Sequence, residues 1–104
     1  ERLLKLKNRP TAVFFSTDIK ALGGMYSLRM RNIDVPGEMS IIGYDDQYFT
    51  EALTPALTTV NQNADKIGHR AVQLLLEHVR TKTFAKEEIV PTVVIRDTVA
   101  PPNE

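Results

Sequence analysis

Apolar positions fall along the chain in two rhythms. Residues 11–16 (TAVFFS), 39–44 (MSIIGY) and 56–60 (ALTTV) are short runs rich in β-branched and aromatic side chains, the composition of buried strands. Residues 89–95 (IVPTVVI) make a fourth run. Pro91 cannot donate to a ladder, so that strand belongs at an edge or a bulge. Between these runs the period lengthens to that of a helix. Thr17 and Asp18 are N-cap types ahead of a helical pattern that reaches about residue 32. Asn63 stands before a second pattern reaching about residue 81, with Ile67, Ala71, Leu74, Leu75, His78 and Val79 on one face. Residues 1–8 carry Leu3, Leu4 and Leu6 among charges and read as the last two turns of a helix halted before Pro10. Val35-Pro36-Gly37 is turn chemistry. Residues 45–55 are irregular, with one helical turn expected at 48–53, residues 84–88 are a loop, and Pro101-Pro102 ends the ordered part.

Short apolar strands alternating with helices predict an α/β fold, an open and mainly parallel sheet with helices on both faces. The 17–32 helix has an unusual feature. At about 100° per residue, Ile19, Leu22, Tyr26, Met30 and Ile33 form one apolar stripe, and Ala21, Met25 and Leu28 form another, well separated from it. One stripe should face the sheet and the other needs a cover, for which a second copy of the chain is the preferred reading. Gly23 and Gly24 each cost about 1 kcal/mol relative to Ala inside a helix, and close packing there would compensate.

Composition removes more functions than it suggests. With 104 residues the chain has the length of about one small domain. The 42% apolar and 25% charged fractions are those of a globular protein rather than a disordered one. No apolar run approaches the roughly 20 residues of a membrane helix, and no signal-peptide pattern opens the sequence. Zero cysteines exclude disulfides, thiol nucleophiles and thiolate zinc sites. Lys+Arg and Asp+Glu balance at 13 each, which argues against this segment gripping phosphate backbones unaided.

The candidate chemistry lies at strand ends, because ligands of open α/β sheets bind beyond the carboxyl ends of the strands. The first strand runs into Ser16-Thr17-Asp18, the second into Asp45-Asp46 and the third into Asn61-Gln62-Asn63. Together they offer hydroxyl, carboxylate and amide groups to a polyhydroxylated or heterocyclic ligand. Asp18 and Asn63 have capping as their simpler role. Catalysis is not expected: adjacent carboxylates such as Asp45 and Asp46 point to opposite sides of an extended chain, a poor geometry for shared acid–base work. No nucleophile–base arrangement is visible, no metal site is expected, and His69 and His78 read as side chains of a helix surface or edge. Gly23-Gly24 lies inside a helix, not at a strand-to-helix phosphate loop.

These residues resemble a known pattern. Arg9-Pro10-Thr11-Ala12-Val13-Phe14 with Thr17-Asp18 and Ala21-Leu22-Gly23 is similar to the "RPTAVF…ND…ALG" segment of LacI/GalR-type bacterial transcription regulators. Val35-Pro36 and Ser40 to Asp46 (SIIGYDD) resemble that family's "VP…SIIGYDD". Thr54 to Gln62 (TPALTTVNQ), the helix with Ile67-Gly68, Ala71 and Leu74-Leu75, and the tail from Val94 to Pro101 follow at matching spacing. The ordered set spans nearly the whole chain.

The resemblance implies a periplasmic-binding-protein-like effector domain of two subdomains around a cleft, with residues 1–104 supplying the carboxyl-terminal portion. It further implies that a helix-turn-helix, a hinge and most of the other subdomain lie outside this sequence. Thr17, Asp45 and Gln62 are then the effector contacts, although the family usually carries Asn at position 17. Ala21, Leu22, Met25, Leu28 and Leu53 are the implied homodimer contacts. The helix after Gln62 is implied to pack on the other subdomain, so that in this chain it should either repack on its own sheet or be shielded by dimerisation. The function expected is a non-enzymatic, cytoplasmic sensor without cofactor. It would bind a small molecule, sugar-like or a nucleobase, and couple it allosterically to DNA bound by the segments outside this chain, with no membrane partner. The alternative is a fragment of a periplasmic sugar-binding transport protein, which shares the fold. An enzyme using Asp45 would need a nucleophile or metal partner that the sequence does not provide.

Overall fold

A computed structural model describes residues 2–102. The strands are short: β1 (Ala12–Phe14), β2 (Ser40–Ile42), β3 (Thr59–Asn61) and β4 (Thr92–Val94). The helices are α1 (Asp18–Arg29) and α2 (Ala64–Thr81). Single 3-10 turns occupy Leu3–Lys5 and Thr50–Ala52. The amino-terminal segment is therefore a 3-10 turn rather than two turns of α-helix, and residue 1 of that expectation lies outside the described residues. The helical turn anticipated at 48–53 is present as the second 3-10 turn.

β1 and β2 pair in parallel, with Val13 opposite Ile41 and Phe14 opposite Ile42. Ile42 bridges to Thr58 in parallel, which places β3 on the far side of β2. β3 then pairs antiparallel with β4, Val60 opposite Val93 and Asn61 opposite Thr92. Parallel pairing thus holds for the first three strands and ends at the fourth. Where β2 and β3 diverge, the carboxyl-terminal tail fills the space between them. Ile41 N–H donates to the Thr98 carbonyl at 2.8 Å. The buried Thr98 hydroxyl donates to the Ile41 carbonyl at 2.7 Å and accepts from Thr58 N–H at 2.9 Å. Thr98 supplies the ladder bonds that a neighbouring strand would otherwise make.

The core is small: Ala21, Leu28, Met39, Ile41 and Leu57 are buried, with Leu4, Val13, Phe15, Met25, Ile33, Val35 and Leu53 packed around them. α1 lies on β2, and the stripe it turns inward is Ala21–Met25–Leu28. Tyr26 and Met30, at 66% and 64% exposure, point outward with Ile19. Of the expected interface set, Ala21 and Leu28 are buried in the subdomain's own core, whereas Leu22 keeps an exposed edge. The physical reason is close approach: Ala21 and Gly24 are small, and a Cβ on Gly24 would run into the Phe15 ring. Gly23 has open space where its side chain would be, so the compensation expected for both glycines applies to Gly24 alone.

α2 does not return to the sheet. It buries none of its residues, and Ile67, Val72, Leu75, Leu76 and Val79 are exposed. The radius of gyration is 18.3 Å, against about 13 Å for a compact chain of this length. α2 and the segment after it form a projecting arm. Arg70 holds the returning segment through Glu87, Nε donating at 2.8 Å and Nη2 at 2.6 Å. That hydrogen bonding, followed by the charge attraction, keeps the Glu87 carboxyl below its ordinary pKa and raises Arg70 above its own. His78 stacks on Phe84 with ring centroids 4.0 Å apart, and its Nδ1 lies 2.9 Å from the Thr83 carbonyl. Asn63 sits at the cap position of α2 with φ 57°, but its side chain caps nothing. Its Nδ2 donates to the Val90 carbonyl at 3.0 Å instead, closing the base of the arm. The capping role expected for Asn63 is corrected accordingly.

Candidate functional site

Parallel pairing of β1, β2 and the start of β3 brings their carboxyl ends to one edge. Thr17 follows β1, Asp45 follows β2 and Gln62 follows β3, so all three residues proposed from the sequence share that edge. Two are in direct contact, with Gln62 Nε2 donating to Asp45 Oδ1 at 3.0 Å. Asp45 N–H donates to the Val60 carbonyl at 2.9 Å, and Asp18 N–H to the Tyr44 carbonyl at 2.9 Å, which stitches the three loops side by side. Thr17 is the true N-cap of α1, its Oγ1 accepting from Lys20 N–H at 3.3 Å. That bond uses the oxygen as acceptor and leaves the hydroxyl proton available as a donor. All three side chains are partly solvent-accessible.

Behind this edge lies a polar layer that the sequence reading did not anticipate. Asp18 is the first residue of α1, not its cap, and is completely buried. Its Oδ1 accepts from the Thr59 hydroxyl at 2.5 Å and its Oδ2 from Gln47 N–H at 2.8 Å. A carboxylate in the first turn also meets the positive end of the helix dipole. Gly43 is what makes room for it. A side chain there would strike Asp18 Oδ1, with Leu57 Cδ2 at 3.1 Å and Asp18 Cα at 3.3 Å. The signal was present in the sequence as a glycine inside a strand run, a sign of close approach.

Asp45 and Asp46 both have left-handed backbones, φ 108° and 54°. Their carboxylates part company as expected, but through this turn rather than through an extended chain. Asp46 Oδ1 accepts from Arg96 Nη2 at 2.9 Å and Oδ2 from Asn61 Nδ2 at 3.0 Å. Asp46 is therefore occupied by protein groups on both oxygens, whereas the Asp45 carboxylate meets Gln62 through Oδ1.

A concavity of about 590 Å³ lies apart from this edge, between α1 and the 50–55 segment. Leu22, Met25, Tyr26, Ile33, Val35 and Leu53 give it an apolar lining, with Arg29, Asn32 and Asp34 at its polar margin. Leu22, Met25 and Leu53, three of the five residues assigned to a subunit contact, line this groove. Among the described residues no group of three or more His, Asp and Glu side chains could hold a metal ion. No helix among them is long and apolar enough to cross a membrane.

The architecture is that of half of a two-lobed, periplasmic-binding-protein-like α/β unit. The chain belongs to the periplasmic binding protein-like domain family, whose model matches residues 1–99. It is 42% identical over 100 residues to the HTH-type transcriptional repressor PurR of Mannheimia succiniciproducens, covering 94% of this chain and 30% of that protein. Among solved structures it resembles a LacI family transcriptional regulator from Bifidobacterium animalis subsp. lactis, with a TM-score of 0.93 and 30% identity over 98% of this chain and 38% of the other. A LacI family regulator from Lactobacillus casei with bound sucrose superposes with a TM-score of 0.78 and 29% identity, over 94% of this chain and 37% of that one. The chain thus spans under two fifths of the length of each of these proteins.

Proposed function

We propose that residues 1–104 are the carboxyl-terminal portion of an effector-binding domain in a bacterial transcriptional regulator, contributing one wall of a small-molecule site and one face of a homodimer. The observation that carries this reading is the meeting of Asp45 and Gln62 at 3.0 Å beside Thr17, on the strand-end edge where α/β folds place their ligands. The paired carboxylate and amide provide acceptors and donors side by side, suited to the hydroxyls of a sugar or the polar edge of a nucleobase. The sucrose-bound Lactobacillus casei structure favours the first and the PurR likeness the regulatory setting. The repressor relatives favour a cytoplasmic regulator over a transport protein sharing this fold. DNA would be reached through segments outside this sequence, consistent with its charge balance of 13 against 13.

In such a regulator the ligand acts by binding one arrangement of the subdomains better than another, typically with about 1–3 kcal/mol of coupling. The direct test is calorimetric titration of the regulator containing this segment with two classes of probe, disaccharides such as sucrose and free purine and pyrimidine bases. One of these classes is expected to bind, and Asp45→Asn is expected to weaken it by about 10-fold or more through loss of a charged acceptor. Unchanged affinity in Asp45→Asn would remove this edge from the site.

The apolar groove between α1 and the 50–55 segment is the dimer face in this reading. Replacing the exposed Leu22 with Arg is expected to shift the monomer–dimer equilibrium by at least about 10-fold, since interface centres tolerate an unpaired charge poorly. Sedimentation at several concentrations measures it. A dimer of undiminished affinity would assign the groove another occupant.

A further inference from the structure

We propose that Arg96 is a positioning residue that ties the Asp45–Gln62 pair to the wall of the α1 groove, so that the two sites sense each other within this half of the molecule. The proposal rests on the ligand and dimer assignments above for its meaning, but not for its test.

The geometry begins at the Asp45-Asp46 turn. Two successive left-handed residues leave the backbone little latitude, so whatever holds the Asp46 carboxylate also sets the direction of Asp45. Arg96 holds it: Nη2 donates to Asp46 Oδ1 at 2.9 Å, and both side chains are only 17% exposed. The other arm of the same guanidinium reaches the segment that leads into the groove wall. Arg96 Nη1 donates to Thr50 Oγ1 at 3.1 Å and to the Leu57 carbonyl at 2.9 Å. Thr50 is buried and opens the 3-10 turn Thr50–Ala52. Its hydroxyl donates to the Gln47 carbonyl at 2.7 Å, and its own carbonyl accepts from Leu57 N–H at 2.9 Å. Ala52 and Leu53, directly after, line the groove.

One planar cation therefore spans three acceptors: the carboxylate next in sequence to Asp45, the hydroxyl that sets the start of the groove wall, and a carbonyl of the core strand segment. The backbone of Arg96 is fixed independently, its N–H donating to Thr58 Oγ1 at 2.9 Å. A lysine would keep the charge but not the fork, and could not satisfy all three acceptors at once. The Thr50 hydroxyl also lies 3.4 Å from Asp46 Oδ1, a long contact, and the rigid guanidinium braces both groups from the other side, so that a shift of Asp46 is carried to Thr50 chiefly through Arg96. Contacts that merely filled space would not link the two in this way.

The test needs no ligand. Amide resonances of the 104-residue chain are compared between wild type and Asp45→Asn, where removal of one charge perturbs the site. Shifts are expected at Tyr44, Asp46 and Gln62 nearby, and also at Thr50, Ala52 and Leu53. In an Arg96→Lys background the second group of shifts should vanish while the first persists. Arg96→Gln, which removes the fork but leaves the Thr50 hydroxyl with its Gln47 and Asp46 partners, should have the same effect and decides the matter if Arg96→Lys does not fold. Remote shifts that survive both backgrounds, or that are absent from Asp45→Asn itself, overturn the proposal. Because the readout is the unliganded chain, a failed ligand titration and a failed coupling are separate results.

Discussion

Asp18→Ala is expected to lower the stability of the subdomain by about 3 kcal/mol, read from the midpoint of urea unfolding. The carboxylate is wholly buried and accepts from the Thr59 hydroxyl and from Gln47 N–H. Deleting it leaves both donors facing a void of the wrong polarity, and an unsatisfied buried donor costs about 1–3 kcal/mol. Asp18→Asn, which keeps one acceptor oxygen, should lose roughly half as much. The loss should come with disorder at 46–50, because Gln47 is fastened to the body of the fold through this bond. A change below about 0.5 kcal/mol in Asp18→Ala would show that the carboxylate is a passive cap, the role its position in the sequence suggests.

Gly43→Ala is the second large effect, at about 2–3 kcal/mol, because the added methyl meets Asp18 Oδ1, Leu57 Cδ2 and Asp18 Cα together. β2 cannot move aside: Gly43 N–H donates to the Thr58 carbonyl at 2.9 Å and Ile41 is paired to Thr98. The two substitutions are linked. Removing the Asp18 carboxylate relieves the worst of the methyl's contacts, so the double variant should be less destabilised than the sum of the single ones by about 1 kcal/mol. Strict additivity, measured by the same unfolding experiment, would mean that Gly43 is required for its backbone and not for the space it leaves.

Periodicity located the four strands and both α-helices to within a few residues, and the reason is visible in β2 and α1. The run at 39–44 contains Met39 and Ile41, both core residues, and its shortness, its isoleucines and the Pro36-Gly37 turn before it mark it as a strand rather than a buried helix segment. The α1 stripes show where periodicity stops being enough. Both stripes are apolar, and which one turns inward depends on how close the helix can come to the sheet. That is decided by Ala21 and by Gly24 against Phe15, a contact between distant residues. Strand ends were likewise legible, since short apolar strands alternating with helices favour a mainly parallel sheet, and parallel pairing of the first three runs puts Thr17, Asp45 and Gln62 on one edge. Arg96 and Thr98 were not legible as site-supporting residues. They belong to a tail that fills the opening between β2 and β3, and nothing local to 94–101 encodes the presence of that opening. Asn63 is a similar case: its residue type favours a cap, and only the return of Val90 to its side supplies the competing partner.

The antiparallel pairing of β3 with β4 gives the arm a topological character of its own. Asn61 and Thr92 are register partners, so the chain leaves the body and re-enters it at adjacent points. Everything between them is an excursion inserted into what would otherwise be a hairpin, and register partners lie only about 4.5–5.5 Å apart at the Cα atoms. A two-residue turn such as Asn-Gly closes such a gap. The body, with its groove and the Arg96 fork, is thereby separable in design from the arm, provided that Gln62, the first residue past Asn61, is kept at the start of the joining turn: the arm can be shortened while the core residues Ala21, Leu28, Met39, Ile41 and Leu57 keep Leu4, Val13, Phe15, Met25, Ile33, Val35 and Leu53 packed around them.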